Sequence, residues 1–117
     1  MIDEKAQELG RLLGQSEEYK ALLRASQRLK EDVETQKLLE EVERLAEAIE
    51  GAAQQGKEPA RESVERYDEI LKTVQRSPVY QQMVAAQANF EKLMAKVNAT
   101  IYEGMQKGAA SPIITLG

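Results

Sequence analysis

The chain has 117 residues, of which 31% are charged and only 4% aromatic, with one Phe and no Trp, Cys or His. Without Cys it can form no disulfide, iron–sulfur cluster or thiolate zinc site by itself, and without His it lacks the commonest general base and imidazole ligand. Its net charge of −4 is uneven, with eight Lys/Arg against thirteen Asp/Glu in residues 1–56 and eight against seven in residues 57–117; this argues against a nucleic-acid binder, which carries a basic face.

The first predicted element is a short helix at about 2–13, where Ile2, Ala6, Leu9 and Leu13 fall on one helical face and Gly14 can cap the end. Ser16 is an N-cap for the next helix, with Glu17 and Glu18 favourably placed in its positive first turn. Tyr19, Leu22, Ser26, Leu29 and Val33 continue at three–four spacing, and a second series runs through Leu38, Val42, Leu45, Ile49 and Ala52. The five-residue step from Val33 to Leu38 shifts the stripe, and Asp32 can cap a new helix there. Two helices, 17–30 and 33–55, or one kinked helix both satisfy the pattern.

Gln54 to Pro59 is the one clear loop, with Gly56 and Pro59 as stop and restart signals. A helix at about 60–76 follows, with Val64, Tyr67, Ile70, Leu71 and Val74 on one side. Ser77-Pro78 then supplies an N-cap and a first-turn proline. The helix 78–106 is the most regular: Tyr80, Met83, Gln87, Phe90, Met94, Val97, Ile101 and Gly104 alternate three–four, a coiled-coil-like seam or a bundle-core face. Residues 108–117 are read as a flexible C-terminal tail after a single helical domain, 1–107. Acid-to-base pairs at i, i+4 (Glu40–Arg44, Glu62–Arg66, Asp68–Lys72, Glu103–Lys107) mark solvated faces.

Little in this pattern points to chemistry. Neighbouring carboxylates such as Glu17-Glu18, Glu40-Glu41 and Asp68-Glu69 diverge by ~100° on a helix and cannot converge by themselves on a substrate. A carboxylate di-metal bundle needs Glu-x-x-His motifs, and no phosphate-binding glycine loop or nucleophile elbow occurs. No catalytic, cofactor-binding or metal residue is assigned, and no cofactor is expected. Lys20, Arg24 and Arg28 form a basic stripe that suits RNA or an acidic partner, but Glu17, Glu31 and Asp32 flank it and a solvated face is the simpler reading.

The candidate interface is the seam itself: Tyr80, Met83, Gln87, Phe90, Met94, Val97 and Ile101. Tyr80, Met83, Phe90, Met94 and Met105 suit an adaptable Met-rich groove for a partner helix, but their regular register points first to core or dimer contact. Gln87 is either a register-setting amide near a dimer axis or a position at the seam edge. With so few large rings, the chain is expected to complete its core by dimerising. No apolar run reaches the ~20 residues that span a bilayer, and the acidic start Met1-Ile2-Asp3-Glu4-Lys5 lacks a signal-peptide core, so a cytoplasmic protein is expected.

Three blocks carry a family resemblance: Gly14-Gln15-Ser16-Glu17-Glu18-Tyr19-Lys20 opening a helix; Lys30-Glu31-Asp32-Val33-Glu34-Thr35-Gln36-Lys37-Leu38-Leu39 at the phase break; and the Gly56–Pro59 loop, then Ser77-Pro78-Val79-Tyr80 before a helix with Ala88 to Leu93. In order and spacing the chain resembles the YlbF/YmcA/YheA-like family of small bacterial helical proteins over about residues 2–106. The resemblance implies an all-α long-helix bundle, built as an intertwined homodimer with coiled-coil-like packing. It also implies regulation: some members look like cell-fate regulators of competence, sporulation and biofilm formation. Those members form complexes with other proteins and influence RNA processing through an endoribonuclease. Complexes of that subgroup hold iron–sulfur clusters through Cys, which this chain lacks, so that property is not carried over and the chain looks closer to the YheA-like branch. The resulting expectation is a non-enzymatic adaptor or regulator with itself and other proteins as partners, and with no membrane or small-molecule substrate. An RNA-binding helical arm of an RNA-processing assembly and a small helical chaperone are the alternatives.

Overall fold

The computed structural model describes residues 1–110, which form five helices: α1 (Ile2–Gly14), α2 (Glu17–Glu31), α3 (Val33–Gln54), α4 (Arg61–Arg76) and α5 (Pro78–Ala110). No strand occurs among the described residues. The last helix runs to Ala110, so Gly108, Ala109 and Ala110, expected to begin a tail, are helical. The remainder of that expected tail lies outside the described residues.

Two antiparallel pairings organise the molecule. α2 lies along the first half of α5, with Tyr19 against Phe90 and Ser26 against Met83. α3 lies along α4, where the Arg66 guanidinium reaches Glu41 at 3.1 Å. The shape is elongated, 68 × 37 × 19 Å, with a radius of gyration of 21.7 Å. A compact chain of this length would have ~13 Å.

The two pairings meet where both antiparallel runs break. Asp32, at φ −84° and ψ 90°, leaves the helical region, so α2 and α3 are separate helices. Its carboxylate accepts from the Thr35 amide at 3.0 Å, capping α3. On the other run, Ser77 at ψ 123° ends α4, and its hydroxyl accepts from the Tyr80 amide to cap α5. Each break is bridged by a glutamine from the helix that follows it. Gln36 donates to the Leu29 carbonyl, which also accepts from the Asp32 amide, and Gln81 donates to the Gln75 carbonyl, both glutamine bonds at 2.9 Å, adding side-chain donors at the helix ends. The Thr35 and Ser77 hydroxyls face each other at 3.3 Å, so the two breaks sit at one level.

The remaining turns follow local rules. Ser16 accepts from the Tyr19 amide and donates to the Leu13 carbonyl, ending α1 and starting α2. At the far end of α3, Gly56 takes φ +71°; its amide bonds Ala53 and the Lys57 amide bonds Ala52, a Schellman closure that needs a left-handed residue.

Burial is concentrated near the breaks. Among the described residues the large buried side chains are Ile70 and Val74, 2% and 1% exposed, joined by Ala25, Thr35 and Ala86. Nothing in α1 is buried. The four acid-to-base pairs expected at i, i+4 are not closed within 4.0 Å; the ion pairs that form among the described residues are Lys5–Glu8, Arg61–Glu65, Arg66–Glu41 and Arg66–Glu69. Solvated partners gain too little to hold long side chains in one geometry.

Truncating Ile70→Ala should cost ~2–5 kcal/mol in denaturant unfolding, because the cavity would open in the one densely packed region. Asp32→Ala should cost about 1 kcal/mol through loss of the α3 cap. Unfolding midpoints at constant m-value would check both.

Candidate interaction surface

α5 has the composition of a helix surrounded by protein. Its first thirteen residues, Pro78 to Phe90, carry no charge. Successive residues turn by ~100°, so its apolar side chains sort into three stripes. Met83, Ala86, Phe90, Leu93 and Val97 form the first. The second is Gln87, Met94, Ile101 and Met105. Val84, Ala88, Ala95 and Tyr102 form the third, on the opposite side. A helix apolar on opposite sides is normally buried on both.

The first stripe is the one most fully covered, and of the second only Met94 is half-buried. The Phe90 ring tilts 52° against Tyr19 with centroids 5.6 Å apart, and the Ser26 hydroxyl lies 3.5 Å from the Met83 sulfur. Ala25 and Ala86 are buried, small side chains that let α2 and α5 approach closely. Farther along, Leu93, Val97 and Ile101 line an open groove of about 270 Å³ with Leu9 of α1. It adjoins a second groove of about 480 Å³ lined by Met1, Ile2, Lys5, Ala6, Leu9 and Ile101. α1 therefore shields the distal half of α5 only loosely.

The sequence-predicted interface is thus divided. Met83, Phe90 and Val97 face the chain's own α1 and α2, and the seam is in part an intrachain surface. Tyr80 and Met94 are half-buried, Gln87 is exposed and Ile101 is 46% exposed. Exposed Leu23, Val84 and Tyr102 were not singled out by the seam pattern, whereas Met105, 60% exposed, belongs to the candidate groove. Val84 and Tyr102 share a helical face with Ala88 and Ala95, and a count of apolar residues on both sides of α5 would have found them.

Hydrogen bonding and attraction from Glu41, then Glu69, push Arg66 further above its ordinary value, which leaves an always-charged group charged. Among the described residues no group of three or more His, Cys, Asp or Glu is placed to hold a metal ion. No helix among them is long and apolar enough to cross a membrane. The chain exposes 9383 Å², well above the roughly 6,400 Å² of a compact monomer of its mass.

Phe90→Ala should destabilise the chain by about 2 kcal/mol, below the cost at a fully buried ring, because Phe90 keeps one side toward solvent. Ile101→Ala should stay within about 1 kcal/mol in protein dilute enough to be monomeric. Chemical unfolding of both variants would check this order.

Over residues 2–106 the sequence matches the family described as "Control of competence regulator ComK, YlbF/YmcA". No curated protein and no solved structure matches the chain.

Proposed function

The chain belongs to the YlbF/YmcA family, and from that premise we propose that it is a non-enzymatic bacterial regulator that acts in the cytoplasm as a homodimer, through protein–protein contacts made by α5. The observation that carries this reading is the second stripe of α5, a flank where Gln87, Ile101 and Met105 are exposed and Met94 is half-buried. The surface in excess of a compact monomer supports it, since obligate dimers bury more than ~2,000 Å². In this reading Tyr80, Met83, Phe90 and Val97 position the flank from within the chain, and Gln87, Met94 and Ile101 meet the partner. The complete lack of Cys supports a place beside the YheA-like branch rather than among cluster-binding members.

Light scattering at micromolar concentration should give a species near twice the chain mass of 13.1 kDa. A monomer under those conditions would overturn the reading. Met94→Asp should weaken the dimer by several kcal/mol, since it buries an unpaired charge, while leaving helical content unchanged. Gln87→Leu should raise the melting temperature, because a buried amide contributes only ~0.5–1.5 kcal/mol, while broadening the range of oligomers. One sharp dimer of unchanged stability would place Gln87 outside the interface.

A further inference from the structure

The same chain carries two exposed rows of opposite charge that do not meet each other. On α2, Lys20, Arg24 and Arg28 stand at i, i+4 and i+8, all exposed, over about 12 Å of helix. Among the described residues none of them makes an ion pair within 4.0 Å; Arg28 donates to Gln82 at 3.2 Å. Arg24 and Arg28 stand beside Gln82 and Asn89 over a groove floored by Ala21, Ala25, Ala85 and Ala86. No acidic side chain lines that groove. Glu31, at the end of the row, is held by Gln27 at 3.0 Å.

On α3, Glu40, Glu43, Glu47 and Glu50 repeat at three–four–three spacing over about 15 Å, all exposed. None makes an ion pair among the described residues, and Lys37 and Arg44 stand only at the edge of the row. The α3–α4 region, residues 33–76, holds seven Lys/Arg against eleven Asp/Glu, a net of −4. An exposed apolar side chain accompanies each row: Leu23 on α2 and Val33 at the start of α3.

We propose that the Lys20–Arg24–Arg28 row of one chain docks on the Glu40–Glu43–Glu47–Glu50 row of a second copy, and reciprocally, as an electrostatic contact that sets how the two chains align. This rests on the homodimer proposed above and adds to it a contact on the face of α5 away from Gln87, Met94 and Ile101, which the partner's α3 reaches by wrapping round the α2–α5 pair. The contact is self-complementary: two-fold symmetry makes any pairing of α2 with the partner's α3 occur twice. Rows of matched length and opposite sign favour that register and set like charges against each other in the parallel alternatives. The alanine floor lets an approaching helix lie close to the arginines.

The experiment is a charge exchange in the full chain, followed by analytical ultracentrifugation and circular dichroism. Arg24→Glu with Arg28→Glu should weaken self-association tenfold or more while the protein keeps its helical content, as these side chains are exposed. Glu43→Arg with Glu47→Arg should do the same. Mixing the two variants should restore association to within about threefold of the unaltered chain, because in the mixed dimer both contacts are again between opposite charges. Raising salt from 50 to 500 mM should weaken the unaltered dimer and partly restore the association of either variant alone, because salt screens attraction in the first and like-charge repulsion in the second. If both double variants dimerise as well as the unaltered chain, this contact does not exist, while the homodimer itself stands. Failure of the mixture to recover would likewise overturn it. If Arg24→Glu with Arg28→Glu instead abolishes salt-dependent binding of a single-stranded RNA probe and leaves dimerisation intact, the basic row is a nucleic-acid surface and the proposal fails.

Discussion

The fold depends on two helix breaks held at one level. Asp32 and Ser77 each end one helix and cap the next, and the Thr35 and Ser77 hydroxyls tie the breaks together at 3.3 Å. Leaving a helix frees carbonyls that water or a side chain must satisfy. Gln36 and Gln81 add side-chain donors from across each break. Because those bonds are directional, the breaks are defined corners. The two densely buried side chains, Ile70 and Val74, lie on the helix that ends at Ser77. Polar corner and apolar core thus support each other: the caps fix where the helices turn, and the packing fixes how they pair.

Much of this was legible in the sequence, for local reasons. Ser16, Asp32, Gly56 and Ser77-Pro78 act within a few residues of themselves, so the types and spacing of side chains are enough to locate them. The phase shift between Val33 and Leu38 allowed a kink or a break, and the Asp32 cap decides for a break. The last helix outran its expected end because Gly108 is only a weak stop; without a left-handed residue there, Gly108 and the alanines after it continue the spiral.

The interaction surface was legible only in part. Three–four spacing identifies an apolar stripe but does not say what covers it. Phe90 and Met83 turn out to face Tyr19 and Ser26, contacts between residues far apart in the chain that no periodicity reveals. The acidic row on α3 escaped notice because each glutamate, taken singly, reads as a solvated residue. Its regularity shows only when the polar face is searched with the same spacing as the apolar one. The i, i+4 pairs failed in the opposite sense: spacing permitted them, but solvation makes them optional, and Arg66 found Glu41 on the neighbouring helix instead.

The concentration of burial near the paired breaks has a consequence for how the molecule opens. Every residue of α1, and the last turns of α5 from Asn98 to Ala110, is either exposed or only half-covered. Local opening free energies track burial and contact density. Resistance to unravelling is therefore graded along the long axis, with the tips fraying in rapid equilibrium while Ile70 and Val74 stay closed until the whole chain gives way. Amide exchange would read out this gradient as a ladder of protection, and a protease would shorten the tips long before cutting the middle. A surface at the tips is therefore ordered chiefly by whatever settles on it, so part of the free energy of any contact there goes into completing the fold.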